Sequence, residues 1–120
     1  MKVKQVRVSE AVWEGLRAYA EAHRLQLKAI QAQALEWFLK RRESYTGHTD
    51  TLYLASPDTA QYRALWIAPS LAEAIAEQAH RDDVSENRVI YTALCRYWES
   101  ECHRSAAAAS APLNANASFG

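Results

Sequence analysis

The sequence contains one pattern twice, in which an alternating segment, a helix, a turn and a second helix recur at a constant offset of 59 residues. The two second helices carry the same apolar stripe, formed by Ile30, Gln31, Ala34, Leu35, Phe38 and Leu39 in one copy and by Val89, Ile90, Ala93, Leu94, Tyr97 and Trp98 in the other. A helix with such a stripe must bury it against another element. Because all four segments keep one register, the repeat predicts two equivalent structural units in one chain.

Residues 1–42 form the first copy. Lys2 to Val8 alternates, which predicts a strand with Val6 and Val8 facing the core and Val3, Gln5 and Arg7 facing outward. Ser9 is suited to cap a helix whose stripe is Val12, Leu16, Tyr19 and Ala20, and a second helix is expected over residues 27–42. Lys40, Arg41 and Arg42 read as a solvated helix end, because cations suit the negative pole of a helix.

Residues 62–104 form the second copy, with Leu65 and Ile67 in the place of Val6 and Val8. Pro69 suits the first turn of a helix with the stripe Leu71, Ile75 and Ala79, and Ser85 is a good N-cap for the last helix. Residues 43–61 are expected to be a linker, with turns over 45–50 and 56–58 and a short strand over 51–54. Residues 105–120 are expected to be a disordered tail.

Composition and charge limit the classes of protein that fit. A chain of 120 residues, 49% of them hydrophobic, can bury one modest core. Residues 1–48 carry nine Lys and Arg against five Glu, whereas residues 49–120 carry five Arg against nine acidic residues, which hints that a basic surface meets a polyanion. There is no apolar run long enough to span a membrane and no apolar core of a signal peptide, so a cytoplasmic setting is expected.

The residue types that carry catalysis or bind metals occur here without a recognisable arrangement. Cys95 and Cys102 lie seven residues apart on one expected helix, too far to form a disulfide within it, which also favours a reducing compartment. The four histidines show no ligand spacing with the cysteines, and no nucleophile or acid–base pair is evident. The sequence therefore predicts a protein that is not an enzyme and needs no cofactor.

The ordered set of strand, cap, helix, turn and aromatic-ended helix, found twice, resembles the ribbon-helix-helix family of Arc- and methionine-repressor-like DNA-binding proteins. The residues that carry the resemblance are Val6 to Ser9 with Val12, Leu16, Ala20, Leu25, Ile30, Ala34 and Leu35, and Leu65 to Pro69 with Leu71, Ile75, Ala79, Val84, Ser85, Val89, Ala93 and Leu94. The resemblance implies a mainly helical fold with a two-stranded antiparallel ribbon over a shared four-helix core. Two copies in one chain imply an intramolecular pseudo-dimer, similar to the tandem members found in plasmid conjugation systems of bacteria.

The family places outward ribbon side chains in the DNA major groove and the N-terminus of each second helix on a phosphate. By this resemblance, the base-reading positions are Val3, Gln5 and Arg7 in the first copy and Tyr62, Ala64 and Trp66 in the second. Phosphate contacts are implied for Lys2, Lys4, Arg24, Lys28, Ser85 and Asn87. Gln and Arg suit adenine and guanine, whereas Ala64 and Trp66 offer little hydrogen bonding.

Two functions are compatible with these patterns. The first is a sequence-specific binder of double-stranded DNA, acting as a transcriptional repressor or a plasmid accessory factor. The second is a protein-interaction module, for example an antitoxin or scaffold, that docks a partner through the apolar strand Tyr62 to Trp66. The sequence leaves open whether the strands pair within one chain or between two, and whether the protein forms a homodimer or a higher assembly on DNA.

Overall fold

Two strands and four α-helices make up most of the part of the chain that the structure, a computed structural model, describes: residues 1–47 and 52–103. The elements are β1 (Lys2–Val8), α1 (Glu10–Ala22), α2 (Leu27–Ser44), β2 (Gln61–Ile67), α3 (Pro69–Asp82) and α4 (Glu86–Tyr97). A π-helical segment, Trp98–His103, continues from α4. The prediction of a mainly helical fold with one two-stranded antiparallel sheet is confirmed.

The sheet pairs β1 with β2 of the same chain. Gln5 lies opposite Ala64, and the end pairs are Lys2 with Ile67 and Val8 with Gln61. The alternation in each strand buries one face, so that Val6, Val8, Leu65 and Ile67 are all almost inaccessible to solvent. These are the core positions that the period-two pattern predicts.

The turn between the two helices of each copy has the same backbone geometry. Arg24 and Asp83, which are 59 residues apart, both adopt the left-handed conformation, with φ values of 55° and 54°. In each turn the following N–H reaches back five residues, from Leu25 to the carbonyl of Ala20 at 2.8 Å and from Val84 to that of Ala79 at 3.0 Å. This pattern ends helices by satisfying carbonyls that the last turn leaves free. The sequence repeat is therefore also a repeat of local structure.

The helix N-termini follow the predicted caps. The hydroxyl of Ser9 accepts the N–H of Val12 at 3.3 Å, and that of Ser85 accepts the N–H of Arg88 at 3.1 Å. α3 begins at Pro69, where a missing N–H has no consequence. Gln26, the N-cap of α2, makes no side-chain capping hydrogen bond. α2 continues to Ser44, two residues beyond the predicted end.

α4 lies at the centre of the fold, in contact with α2, α3 and β1. Its predicted apolar stripe is buried, with only Trp98 partly exposed, but Tyr91, Thr92 and Cys95 outside the stripe are buried too. The segment after α2 covers this second face: the backbone N–H of Leu54 donates to the hydroxyl of Thr92 at 2.8 Å. The described residues 52–54 form no strand, so the expected strand over 51–54 is wrong for them, while residue 51 lies outside the described residues.

A buried carboxylate joins α2, α3 and the linker. Asp82, whose side chain is 5% exposed, accepts two hydrogen bonds of 2.8 Å from the guanidinium of Arg42. Asp82 also accepts the hydroxyl of Tyr53 at 2.5 Å and the amide of Gln78 at 2.8 Å. The hydrogen bonds from Arg42 are the main reason that the pKa of Asp82 falls to about 2, and burial raises the pKa of Tyr53. Arg42, expected at a solvated helix end, is only 18% exposed, whereas Lys40 and Arg41 are exposed.

The apolar stripe at helical spacing ends with Trp98, so the sequence does not predict the π-helical segment that begins there. Trp98 at its start packs on Gly15 of α1, where a Cβ atom would lie 2.6 Å from Cε2 and 2.7 Å from Cδ1 of the indole. The indole N–H of Trp37 in α2 donates to Glu101 at 3.1 Å. The expected tail over 105–120 and part of the expected turn over 45–50 lie outside the described residues.

Candidate nucleic-acid interface

The six sequence-predicted base-reading positions lie on one face of the sheet. Alternation places them opposite the buried valine, leucine and isoleucine side chains, and the register forms three cross-strand pairs: Val3 with Trp66, Gln5 with Ala64, and Arg7 with Tyr62. Gln5 and Ala64 are exposed, and Val3, Tyr62 and Trp66 are 48%, 68% and 56% exposed. Arg7 is partly buried. We call this surface the outward ribbon face.

The outward ribbon face is polar along one strand only. β1 contributes an amide and a guanidinium, at Gln5 and Arg7, whereas β2 contributes an indole, a methyl group and a phenol. Hydrogen bonding from β2 is limited to one indole N–H and one phenolic hydroxyl. A target that carries both hydrogen-bonding groups and apolar groups would match such a face.

Arg7 is held by a turn of the linker and by the start of α4. Its backbone N–H donates to Oδ1 of Asn87 at 2.9 Å, and its carbonyl accepts the hydroxyl of Ser56 at 2.6 Å. The amide of Asn87 in turn donates to the hydroxyl of Ser56 at 3.1 Å. One guanidinium nitrogen, Nη2, donates to the carbonyls of Pro57 and Asp58 at 3.1 and 3.3 Å.

The N-terminus of α4 has intramolecular partners for the residues expected to bind phosphate. Ser85 caps its own helix, and both ends of the Asn87 amide are hydrogen-bonded within the protein. Glu86 forms an ion pair of 2.8 Å with Lys4, which neutralises a carboxylate that would otherwise repel a phosphate. DNA contact by Lys4, Ser85 and Asn87 stays a prediction.

The N-terminus of α2, at the equivalent place in the first copy, is different. Gln26 provides no side-chain cap, and Arg24 and Lys28 beside it are both exposed. Lys2 at the start of β1 is exposed as well. Helix N-termini attract anions through their N–H groups and dipole, and two flanking cations strengthen that attraction.

Lys4 and Arg63 are basic residues on the inner side of the ribbon. Lys4 reaches Glu86, and the guanidinium of Arg63 lies over the ring of Trp13, 5.2 Å from its centroid. Both residues are half-buried, and each charge lies against a partner within the protein.

A cleft of about 330 Å³ lies away from the ribbon, beside the end of α2. Arg41, Arg42 and Arg96 line it together with Trp37. All three arginines are in or near last helical turns, whose negative poles they neutralise. Among residues 1–47 and 52–103, no group of three or more His, Cys, Asp and Glu could hold a metal ion, and no helix is long and apolar enough to cross a membrane.

Sequence reasoning missed the linker residues that hold Arg7. Ser56, Pro57 and Asp58 carry a turn signal, which predicts local geometry but not the element against which the turn packs. The hydrogen bonds between Ser56, Arg7 and Asn87 join residues that are 31 to 80 positions apart, and no short-range pattern records such pairs.

No family model matches the chain, and neither a curated protein nor a solved structure matches it.

Proposed function

We propose that this protein binds double-stranded DNA in a sequence-specific manner and inserts the outward ribbon face into the major groove. The observation that carries the proposal is that six side chains share one face of a two-stranded antiparallel ribbon, with Arg7 partly buried beside the linker and the other five exposed: Val3, Gln5, Arg7, Tyr62, Ala64 and Trp66. The major groove of B-DNA is wide enough to admit such a ribbon. A role as a transcriptional repressor or a plasmid accessory factor follows from the resemblance to the ribbon-helix-helix family.

The strand register supports a tandem pseudo-dimer as the architecture behind this function. Gln5 pairs with Ala64, its own counterpart at the 59-residue offset. Val3 pairs with Trp66, the counterpart of Arg7, as expected for two copies related by a two-fold axis through the central pair. In ribbon-helix-helix proteins two strand–helix–helix units combine in this way. Here one chain supplies both units.

The side chains on the ribbon suit base recognition on one strand. Gln can bond adenine through two atoms, and Arg can do the same with guanine, each pair being worth about 1–3 kcal/mol of discrimination. Trp66 and Tyr62 supply apolar surface for thymine methyl groups or sugars. The uncapped N-terminus of α2, with Arg24 and Lys28, supplies a phosphate anchor on the side of the first copy.

Selection from a random pool of double-stranded DNA at near-physiological salt, followed by sequencing, tests the proposal. We expect an enriched short motif with two unlike halves and an affinity that falls steeply as salt rises. Arg7→Ala should weaken binding to the selected site by about 1–3 kcal/mol. Absence of any enriched motif would refute the proposal, and unchanged affinity of the variant would refute the ribbon assignment.

A second candidate function is docking of a protein partner on the same face. The observation in its favour is the exposure of Tyr62 and Trp66, two large aromatic side chains on one strand. Exposed aromatic residues are enriched at protein interfaces. Trp66→Arg separates the two functions, because it should abolish docking of a partner but preserve or improve binding to DNA.

A further inference from the structure

We infer that Ser56 and Asn87 are positioning residues that hold Arg7 for base recognition at one end of the ribbon. This inference rests on the proposed DNA-binding function and deepens it. It assigns to Asn87 a task other than phosphate contact, and to Ser56, in the linker, a part in sequence specificity. We therefore expect a DNA site in which Arg7 contacts a guanine at one side and no equivalent contact exists at the other side.

The backbone of Arg7 is bonded to side chains outside the sheet. A two-stranded sheet has two free edges, where backbone N–H and C=O groups lack a strand partner. At Arg7 these groups are bonded to side chains instead, the N–H to Asn87 at 2.9 Å and the carbonyl to Ser56 at 2.6 Å. The hydrogen bond of 3.1 Å between Asn87 and Ser56 closes the set into a triangle. The end of β1 is therefore fixed to both the linker and α4.

The guanidinium of Arg7 is bonded to the linker turn. The carbonyls of Pro57 and Asp58 both accept from Nη2 of Arg7. An Arg side chain has five N–H donors, so Nε and Nη1 can each still donate a single hydrogen bond to a base. A guanidinium already held in place loses less conformational entropy when it bonds guanine than a freely rotating one. The linker turn thus pre-orders the side chain that is best suited to read a base.

The two ends of the ribbon carry different residues. At the 59-residue offset, the counterparts of Arg7 and Asn87 are Trp66 and Lys28. Trp66 has no fork of donors, and Lys28 is exposed beside an uncapped helix N-terminus. At one end of the ribbon, Arg7 is therefore suited to a base contact and is held by Asn87 and Ser56. The other end is built for a phosphate contact.

The test compares Asn87→Ala and Ser56→Ala with Lys28→Ala in the full chain, each by binding to the selected site and to variants at every position. We expect the first two to reduce the preference for guanine at the position read by Arg7 by about 5- to 10-fold, with an unchanged salt slope. The matched control, Lys28→Ala, should weaken binding to all sequences alike and reduce the salt slope by about 1. Ser56→Thr, which keeps the hydroxyl, should retain the guanine preference.

Amide hydrogen exchange of Arg7 without DNA provides a readout that does not depend on binding. Asn87→Ala should accelerate exchange at that amide, and Lys28→Ala should leave it unchanged. Equal loss of affinity for all sequences with a lower salt slope in Asn87→Ala would make Asn87 a phosphate ligand and overturn the inference, while the proposed function would stand. Unchanged exchange would also overturn it. Absence of specific DNA binding by the parent would overturn both.

Discussion

The carboxylate of Asp82 should make the stability of this protein depend on pH in acid. Its folded-state pKa is lowered from 3.8 to about 2, first of all by the hydrogen bonds from Arg42. A group with a depressed pKa stabilises the folded state fully above its unfolded pKa, and the contribution disappears as the pH falls through the folded pKa. For Asp82 this window runs from about pH 5 to about pH 2.

The size of the effect follows from the shift in pKa. One unit corresponds to 1.36 kcal/mol, so the carboxylate contributes about 2 kcal/mol to the free energy of unfolding at pH 7. About 1 kcal/mol of this should be lost by pH 3, where much of the unfolded chain is already protonated at this position. The side chain is 5% exposed, so solvent screens the ion pair with Arg42 only weakly.

Urea unfolding of the parent and of Asp82→Asn, followed by circular dichroism between pH 7 and pH 3, measures both quantities. The variant should lose at least about 2 kcal/mol at pH 7, because Arg42 loses its charged partner, and its stability should fall less between pH 5 and pH 3. Asp58→Asn is the matched control, since that carboxylate is exposed and should leave the curve unchanged. Parallel curves for parent and Asp82→Asn would refute the reasoning.

Three further predictions concern packing, capping and reactivity. Gly15→Ala should destabilise the protein by about 1–3 kcal/mol, because the added Cβ would overlap the indole of Trp98. In a thermal melt, adding Trp98→Leu to this variant should recover part of the lost stability. Gln26→Ser should add the missing cap of α2 and raise the free energy of unfolding by about 0.5–1 kcal/mol, whereas an unchanged midpoint would show that the N–H groups there are already satisfied. Burial raises the pKa of Cys95 to about 11. In the variant Cys102→Ser, the thiol of Cys95 should therefore react with a maleimide at pH 7 only when the protein unfolds. Fast labelling of the native protein would contradict the burial of Cys95.

The sequence was informative about each unit by itself. Alternation identified the buried faces of both strands, and the side-chain caps at Ser9 and Ser85 formed as predicted. These features depend on residues within a few positions of one another, for which spacing and side-chain chemistry are sufficient. The constant offset of 59 residues also predicted that the two copies are equivalent. Arg24 and Asp83, which occupy the same place in the two turns, share the left-handed backbone conformation.

The sequence was uninformative about what connects the copies. A stripe on one face of α4 did not predict that Thr92 and Cys95 would be buried as well, because the covering segment lies far away in the chain. For the same reason, the environment of Arg42 was wrongly expected to be solvent. Burial of a polar residue against a distant partner leaves no periodic signal. The contacts of Arg7 with Ser56 and Asn87 were likewise not predictable, because those residues are distant in the sequence.

The pairing of β1 with β2 inside one chain has a consequence for how the protein responds to dilution. A ribbon shared by two separate chains dissociates as the protein concentration falls, and its melting temperature shifts with concentration. Here the two strands are tethered, so one strand always meets the other at a high effective concentration, whatever the number of molecules present. The melting temperature should therefore not depend on protein concentration.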